Sequence, residues 1–314
     1  MYQSYLIYFR SAHTELDSIK ISGAIIDALI TMHPDIADEI MRDVTDGTFA
    51  VSGAFPVLER SNAELFPTPA LAHSYPLSTS RREILAQSHD RKRGIKFSTL
   101  HNIKSLCSKY TGNGNSGLTR KTANEILAMG IPATNDGIGN EGFNEYGVHI
   151  TVGSDTEVYV RELGIPGHLS YRPGRGIASD PVWFVMQYDN EVFRDAIPFL
   201  SDRGISGMVS RGKGAFYYER KECTFTPGFS GEGYYLLLSS FIPQESEMPN
   251  VDFDRSSYQI DVFSGINRNG SNIGKYRYFS AGSLLYLKGE VKGRVIRASS
   301  DRVVVFKTIA VKVA

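Results

Sequence analysis

The fold of this chain is decided by SYLIYF at residues 4–9, SGAIIDALITM at 22–32 and TFAVSGAFPV at 48–57. The first stretch is short, aromatic and rich in branched side chains, so it predicts a β-strand. The second spaces its apolar residues along one face of a helix, and residues 35–44 continue as a second helical stretch. The third returns to a strand pattern. The order strand, helix, strand predicts one half of a ferredoxin-like α+β unit.

A similar succession begins at residue 182. A strand is predicted for VWFVMQY at 182–188, an amphipathic helix for 191–200 and a strand for AFYYER at 215–220. Further strands are predicted for GYYLLLSSFIP, SYQIDVFSG, SLLYLKG, VKGRVIRA and VVVFKTIAVKV. A parallel wound sheet would need more helices. We therefore expect an α+β fold with two ferredoxin-like (RRM-like) domains, at 1–180 and 181–314.

The residues between these two halves differ in composition. Residues 110–180 are rich in Gly, Asn, Pro and Ser, as in TGNGNSG, ATNDGIGNEGFNEYG and SYRPGRGIASD. This composition predicts loops, and only 157–163 shows a clear strand pattern. Loops of such length in a compact domain are usually functional or disordered. We expect them to form glycine-rich insertions of the N-terminal domain.

The overall composition is that of an ordinary globular protein, with 41% hydrophobic and 22% charged residues among 314. The first residues lack the basic and apolar regions of a signal peptide, and no stretch approaches the roughly 18 apolar residues of a membrane span. Cys107 and Cys223 lie far apart, which favours neither a disulfide framework nor a cysteine zinc site. These features predict a cytoplasmic protein without membrane attachment.

Charge is distributed unevenly, although the chain is neutral overall. Residues 255–314 contain eleven Lys or Arg and three acidic residues, an excess of eight positive charges that the first 254 residues balance. Such a division suits a chain that touches a polyanion with one part and a basic protein with another. It also suits strands whose outward Lys and Arg side chains prevent the sheet edges from pairing with other chains. The sequence leaves both interpretations open.

The loop at 203–214 is the strongest candidate site. The segment DRGISGMVSRGKG at 202–214 holds four glycines, three basic residues and two hydroxyl residues in thirteen positions. Glycines let a phosphate approach the backbone N–H groups, because no Cβ intervenes. Arg211 and Lys213 alternate with glycines and would point the same way in an extended run, with Ser206 and Ser210 as further donors. A plain glycine hairpin with solvated charges is the alternative, but a tight turn needs fewer glycines.

Other motifs that suggest catalysis or cofactor binding are incomplete. GIGNEG at 137–142 has the GxGxxG spacing of the dinucleotide-binding fingerprint. However, no hydrophobic strand pattern precedes it and no helix pattern follows. GNGNSGLT at 112–119 places Leu118 where a P-loop needs its phosphate-binding lysine. The histidines show no metal-binding spacing, and Asp252 and Asp254 are predicted to lie in a surface turn. We therefore expect no metal and no cofactor.

The order of the motifs resembles the Csm subunit four family of type III-A CRISPR effector complexes, within the RAMP superfamily. In the first half the likeness rests on SGAIIDAL, VSGAFPVL and ELFPTPAL. In the second half it rests on the glycine-rich loop, GYYLLLSSFIP and GKYRYFSAGSLLYLKGEVKGRVI, with VVVFKTIAVKV similar to the last strands of the family. The likeness covers nearly the whole chain. Two departures are Ser206, where the family's loop has glycine, and Thr68, where lysine is common.

The resemblance implies a non-catalytic, RNA-binding subunit with a protruding thumb at about 110–180. Such a subunit binds the repeat-derived 5′ tag of the CRISPR RNA and joins the large polymerase-like subunit to the backbone RAMP subunits in antiviral defence. Guide pairing would read the target, while protein holds the RNA by backbone and shape. The RNA contacts that the resemblance assigns are Arg203, Gly204, Ser206, Gly207, Ser210, Arg211, Gly212, Lys213 and Gly214, with Lys96, Arg120 and Lys121 as further contacts or parts of the thumb.

Two catalytic alternatives stay open. His13, directly after the first predicted strand, is the best candidate for acid–base chemistry, and RNA-processing relatives of this architecture place a histidine there. An endoribonuclease that processes precursor CRISPR RNA is therefore the first alternative, although nothing in the sequence pairs with His13. The second is a small-molecule enzyme whose glycine-rich loop cradles a nucleotide.

Overall fold

The structure is a computed structural model that describes residues 1–9, 16–58, 63–70, 97–112, 123, 125–127, 129, 148–151, 157–160, 169–172, 176–179, 181–205, 214–266, 272–299 and 302–314. Helices α1 to α4 cover Ser18–Met32, Ala37–Asp46, Leu100–Gly112 and Ala196–Arg203, and 3-10 helices cover Pro34–Ile36, Glu191–Asp195 and Glu245–Asn250. Strands β1 to β20 cover Tyr2–Phe9, Ala50–Val51, Phe55–Leu58, Ala63–Glu64, Phe66–Pro67, Phe97–Ser98, Val148–Thr151, Glu157–Val160, Leu169–Arg172, Gly176–Ser179, Val182–Gln187, Phe216–Lys221, Gly233–Leu237, Val251–Ser257, Ile260–Ile266, Asn272–Phe279, Leu284–Leu287, Gly293–Ser299, Arg302–Lys307 and Ala310–Lys312.

The first sheet is built around β1. This strand pairs antiparallel with β11 on one side and with β12 on the other, and the full order is β12-β1-β11-β3-β4, with β2 also paired to β11. Helix α1 follows β1 and helix α4 follows β11. The predicted strands and helices are therefore confirmed in this part of the chain. Helix α1 begins earlier than predicted, at Ser18, because the Asp17 side chain accepts a hydrogen bond from the Lys20 N–H at 2.8 Å and caps it.

The predicted boundary between residues 180 and 181 divides this sheet. Strand β1, from the predicted first domain, pairs along its length with β11 and β12 from the predicted second domain. The strand, helix and strand expected to open a second ferredoxin-like unit thus complete the first sheet. After Lys221 the described residues contain strands and a 3-10 helix but no α-helix. The strand pairing thus crosses the predicted boundary, because a local pattern shows where a strand lies, not which strand it pairs with.

The helices cover one face of the first sheet. Side chains alternate along a strand, so Tyr5, Ile7 and Phe9 point to this face, and the Tyr5 ring stacks on Phe184 with centroids 5.3 Å apart. They pack against buried residues at helical spacing, namely Ile21, Ile25, Leu29, Ile40, Val44, Ile197 and Leu200. Helix α4, which leads into the candidate loop, is thereby fixed on the sheet by its own apolar face.

A second sheet covers the opposite face. It has the strand order β14-β17-β13-β20, with antiparallel pairs throughout. Leu6 and Val185 of the first sheet share one buried core with Leu236 and Leu284 of the second. Helix α3 packs at the same core through Ile103, Leu106 and Cys107. The first sheet is therefore buried on both faces, which explains why VWFVMQ in β11 is apolar without alternation.

Two hairpins accompany the second sheet, β15 with β16 and β18 with β19. They pack on each other through aromatic rings: those of Phe263 and Tyr278 lie 6.1 and 5.5 Å from the ring of Phe306. Lys275 and Arg277 alternate with Tyr276 and Tyr278 along β16, and both cations are exposed.

The described parts of residues 110–180 form more strand than predicted. The strand expected at 157–163 is confirmed as Glu157–Val160, paired with Val148–Thr151. Leu169–Arg172 and Gly176–Ser179 form a hairpin where the sequence predicted a loop. The prediction was wrong because Pro and Gly between two short strands dominated the composition of the segment. None of the helices in the described ranges is long and apolar enough to cross a membrane.

Candidate nucleic-acid interface

The structure describes the two ends of the candidate loop and closes them on each other. Helix α4 ends at Gly204, whose φ of 94° is a conformation that glycine adopts without strain. The Gly204 N–H donates to the Leu200 carbonyl at 2.7 Å, and the Ile205 N–H donates to the Gly214 carbonyl at 3.0 Å. Ile205 is buried in the core under the helices. The segment between Ile205 and Gly214 therefore starts and ends at one place on the sheet.

Most of the predicted RNA contacts lie outside the described residues and stay predictions. These are Ser206, Gly207, Ser210, Arg211, Gly212 and Lys213 of the loop, and Lys96, Arg120 and Lys121 before it. The catalytic candidate His13 and the GIGNEG segment at 137–142 also lie outside. The structure adds the attachment of the loop: it joins α4 to β12, which is the end strand of the first sheet as described.

Arg203 is the one predicted cation of the loop that the structure describes. Its Nη2 lies 3.4 Å from Oδ2 of Asp27 on α1, and its guanidinium carbon lies 5.6 Å from the ring centroid of Phe199. The side chain is 43% exposed. An exposed ion pair of this kind contributes little stability, roughly 0–1 kcal/mol. Arg203 is therefore oriented by its neighbours and still open to solvent.

The motif VSGAFP lies at the joint between the two sheets. Ser52 Oγ accepts from the Val185 N–H at 2.9 Å and donates to the Gly53 carbonyl at 2.8 Å. The Gly53 N–H donates to the Leu238 carbonyl at 2.7 Å. Ser52 is fully buried, so its hydroxyl satisfies backbone groups that the break between β2 and β3 leaves unpaired.

The motif LLSSFIP contributes the other side of this joint. Ser239 Oγ accepts from the Ile309 N–H at 2.8 Å and donates to the Lys307 carbonyl at 2.8 Å. The Ser240 N–H donates to Ser18 Oγ, at the start of α1, at 2.8 Å. These motif residues are therefore structural connectors, and the sequence did not reveal the part played by Ser18.

Lys307 is a buried lysine at the end of α2. Its Nζ donates to the Val44 carbonyl at 2.7 Å and to the Gly47 carbonyl at 2.6 Å. Carbonyls at the end of a helix lack intrahelical donors, and a cation there is favourable. Burial lowers the pKa of Lys307 to about 8. The two hydrogen bonds explain the lysine as a helix cap, and nothing around it requires a catalytic role.

Asp252 and Asp254 lie on strand β14, so the predicted surface turn is wrong. Asp252 Oδ2 pairs with Lys288 Nζ at 2.9 Å, and the hydrogen bond from Lys288 lowers the pKa of this carboxyl. Arg255 on the same strand lies over the Tyr286 ring, 3.4 Å from its centroid. Asp252 and Arg255 are therefore engaged by side chains on or directly after β17. Within the described residues, no group of three or more His, Cys, Asp or Glu side chains is arranged to hold a metal ion.

Both cysteines are free thiols. Cys107 is buried on α3, and burial raises its pKa to about 12. Burial also raises the pKa of Cys223, to about 11. Neither thiol is therefore ionised near neutral pH, which is the opposite of the condition that a nucleophilic cysteine needs.

A basic depression lies where the two hairpins meet. Its volume is about 630 Å³, and its lining includes three cations, two aliphatic residues and one ring, namely Lys275, Arg277, Arg294, Ile242, Val262 and Tyr276. The sequence did not single it out, although the charge excess of residues 255–314 was a signal that pointed to this part of the chain.

The chain was compared with known proteins by sequence and by fold. No protein-family model matches it, and no curated protein matches it by sequence. Solved structures match it over its whole length. A chain of the Csm3–Csm4 subcomplex of a type III-A CRISPR-Cas interference complex has a TM-score of 0.56 and 14% identity, over 98% of this chain and 99% of that chain.

Two structures of a Csm1–Csm4 cassette match similarly. In the complex with pppApApA the TM-score is 0.51 at 16% identity, and in the complex with AMPPNP it is 0.50 at 16%, each covering 100% of this chain and 98% of that chain. Csm4 is the component common to all three structures. At this identity the likeness shows a shared fold, and it confirms at that level the resemblance seen in the motifs.

Proposed function

We propose that this chain, which has the fold of chains in Csm4-containing complexes, is a non-catalytic RNA-binding subunit of a type III-A CRISPR effector complex. It holds the repeat-derived 5′ tag of the CRISPR RNA. The observation that carries this proposal is the fold match over the whole chain, at a TM-score of 0.56. The closed ends of the loop at 203–214 support the assignment of the RNA contact to that loop.

The loop would bind RNA through backbone amides and cations. Gly204 and Gly214 are buried and close the loop, so the N–H groups offered to phosphate oxygens would be those of Gly207 and Gly212, with charge from Arg211 and Lys213. Gly204 ends the preceding helix, and the bond from Ile205 to Gly214 holds both ends of the loop at one place. A loop fixed in this way loses less conformational entropy on binding than one with free ends.

The partners in this proposal are a Csm1-like and a Csm3-like protein, in the roles of large polymerase-like subunit and backbone RAMP subunit. The matched structures support it, because one is a complex of Csm4 with Csm3 and the other a complex of Csm4 with Csm1. A subunit that contacts both would bridge them. We expect this chain, purified from its native host, to carry both partners and a set of small RNAs that share one 5′ end.

The loop is tested by Arg211→Ala combined with Lys213→Ala. Each phosphate contact of a single strand contributes about 0.7 to the slope of log K against log salt, so the double variant should lower that slope by about 1.4. The measurement is tag-RNA binding by fluorescence anisotropy between 0.05 and 0.3 M salt. Arg42→Ala with Lys104→Ala is the matched control, because it removes the same two charges from exposed positions on α2 and α3.

An unchanged slope in the loop variant would contradict the loop as the grip on RNA. The non-catalytic part of the proposal is tested separately with precursor repeat RNA. We expect no cleavage product. A product that disappears in His13→Ala would instead favour the endoribonuclease.

A further inference from the structure

The basic depression between the hairpins brings three cations together, whereas two other cations of the described residues are paired with carboxylates. Arg203 pairs with Asp27, and Lys288 pairs with Asp252. In contrast, no ion pair within the described residues involves Lys275, Arg277 or Arg294. Of the described residues that line the depression, none is acidic. Three positive charges therefore border one depression without an ion pair among the described residues, which favours an anionic ligand.

The strand geometry fixes the spacing of two of these cations. Lys275 and Arg277 are two residues apart on β16, on the same face and about 6.8 Å apart along the strand. Ser264 and Val262 of β15 lie directly opposite them. Such spacing lets the two cations contact successive phosphates of one extended chain. A single small anion would not use this spacing.

The third cation comes from another element. Arg294 lies on β18, which belongs to the second hairpin, and it lines the depression together with Lys275 and Arg277. The hairpins are held together by aromatic contacts, including Tyr276 with Phe306 at 6.5 Å between ring centroids. The position of Arg294 relative to the strand β16 is thus set by packing and does not depend on the ligand.

The remaining lining is apolar and aromatic. Ile242 is buried, with 6% exposure, while Val262 is 56% exposed. Tyr276 adds an aromatic ring. Nucleotides present a charged backbone and flat apolar bases at once, so they match a surface that offers both cations and such contacts. The exposed Val262 would contact a base directly, while the Tyr276 ring is partly buried against Phe306.

We propose that this depression is a second binding site for the backbone of single-stranded RNA, separate in the fold from the loop at 203–214. The inference rests on the proposed function in taking RNA as the ligand. Lys275 and Arg277 would contact adjacent phosphates, and Arg294 a third from the opposite side. The loop leads from α4 into β12 of the first sheet, whereas the depression lies on the hairpins β15–β16 and β18–β19, so one RNA strand would contact the chain at two points.

The test is Lys275→Gln combined with Arg277→Gln in the full chain. Glutamine keeps the length of both side chains and removes their charge. With a fluorescein-labelled 20-nucleotide oligouridylate as the probe, the salt slope should fall by about 1.4 and affinity on the order of 20-fold at 0.1 M salt. Adding Arg294→Gln should lower the slope by about 0.7 more. Arg42→Gln with Lys104→Gln is the control and should leave the slope nearly unchanged.

The outcomes separate this inference from the proposed function. If the hairpin and loop variants each lower the slope and their combination lowers it by the sum, both sites are supported. If only the loop variant has an effect, the depression is not an RNA site and the proposed function stands. If only the hairpin variant has an effect, the depression is supported and the loop is not. If the unaltered chain binds no RNA, both proposals are overturned.

A second measurement needs no substitution and therefore tests the site even if the hairpin variant does not fold. RNA that contains 4-thiouridine is cross-linked to the unaltered chain, and the modified peptides are mapped by mass spectrometry. Cross-links at Tyr276 or its neighbours on β16 support the site. Cross-links confined to other segments overturn it, and loss of a co-purifying protein in the hairpin variant with RNA binding intact would assign the surface to a protein partner.

Discussion

At the scale of single residues, Lys307 shows how a charge can be used inside a core. The sequence VVVFKTIAVKV gives no sign that its first lysine is buried, because outward lysines are common on strands. The structure places Lys307 at 8% exposure, and its Nζ donates hydrogen bonds to two carbonyls at the end of α2. Its stem therefore packs like an apolar residue while its ammonium group caps a helix.

The buried ammonium makes stability depend on pH in a defined direction. Burial lowers the pKa of Lys307 from 10.5 to about 8, so the unfolded chain holds this proton more strongly. Stability should therefore rise with pH between about 8 and 10.5, by about 1.4 kcal/mol per unit and roughly 3 kcal/mol in all. Below pH 8 the group is charged in both states and its contribution is constant.

The measurement is urea unfolding of the unaltered chain and of Lys307→Met at pH 7, 9 and 10.5. The difference between their free energies of unfolding should shift in favour of the lysine as the pH rises. Titration of cysteine and tyrosine side chains cancels in this difference. Lys104→Met, at an exposed position of α3, is the control for replacing one lysine by methionine. Parallel curves for Lys307→Met would contradict a lowered pKa of Lys307 in the folded chain.

At the scale of elements, strands and helices were predictable and their pairing was not. The pattern of SYLIYF identifies a strand, and the strand is there as Tyr2–Phe9. Its partners are Val182–Gln187 and Phe216–Lys221, some 180 residues or more away, and local periodicity carries no information on a partner so distant. For the same reason the sequence located Val182–Gln187 and Phe216–Lys221 as strands but did not show that they pair with β1.

The candidate sites follow the same division. The glycine-rich loop could be found because its glycines and cations are adjacent in sequence. The basic depression could not, because Arg294 joins Lys275 and Arg277 only through the packing of two hairpins. The excess of Lys and Arg in the C-terminal residues indicated a positively charged surface but not where the depression lies.

The start of β18 gives a prediction at this scale. Gly293 has a φ of 79°, and a Cβ there would lie 2.3 Å from the Phe306 carbonyl oxygen. Gly293→Ala should therefore destabilise the chain by more than about 2 kcal/mol, because backbone strain and a clash add. Gly23→Ala on α1 is the contrast, since its Cβ would meet nothing within 4 Å. That change should stabilise by about 0.5–1 kcal/mol, and chemical denaturation measures both.

Equal effects of the two alanines would contradict the packing of the second hairpin. The comparison is informative because both variants add one methyl group to glycine. Only the surroundings differ: an open helix face for Gly23 and a neighbouring strand for Gly293.

At the scale of the whole molecule, one sheet lies between a layer of helices and a second sheet. The sheet needs β11 and β12, so the predicted division at residue 180 cuts through it. A fragment of residues 1–180 lacks both neighbours of β1, while a fragment of residues 1–221 contains every strand of the first sheet. Shared cores of this kind make the two halves depend on each other.

We expect the fragment of residues 1–180 to show no cooperative unfolding transition. Fragment 1–221 should show one, at lower stability than the full chain, because the face that the second sheet covers is then exposed to water. Circular dichroism during thermal unfolding measures this. A sharp transition for the shorter fragment would contradict the central place of β1 between β11 and β12.

Because β1 pairs with β11, the first sheet cannot form until β11 has been synthesised. The two strands are separated by about 180 residues of chain, which a ribosome adds at roughly 5–20 per second. For about 10–40 s the nascent β1 has α1 beside it but neither of its partner strands. During that interval an apolar strand with two open edges is exposed to other chains, so the order of synthesis makes this segment a natural client for a chaperone.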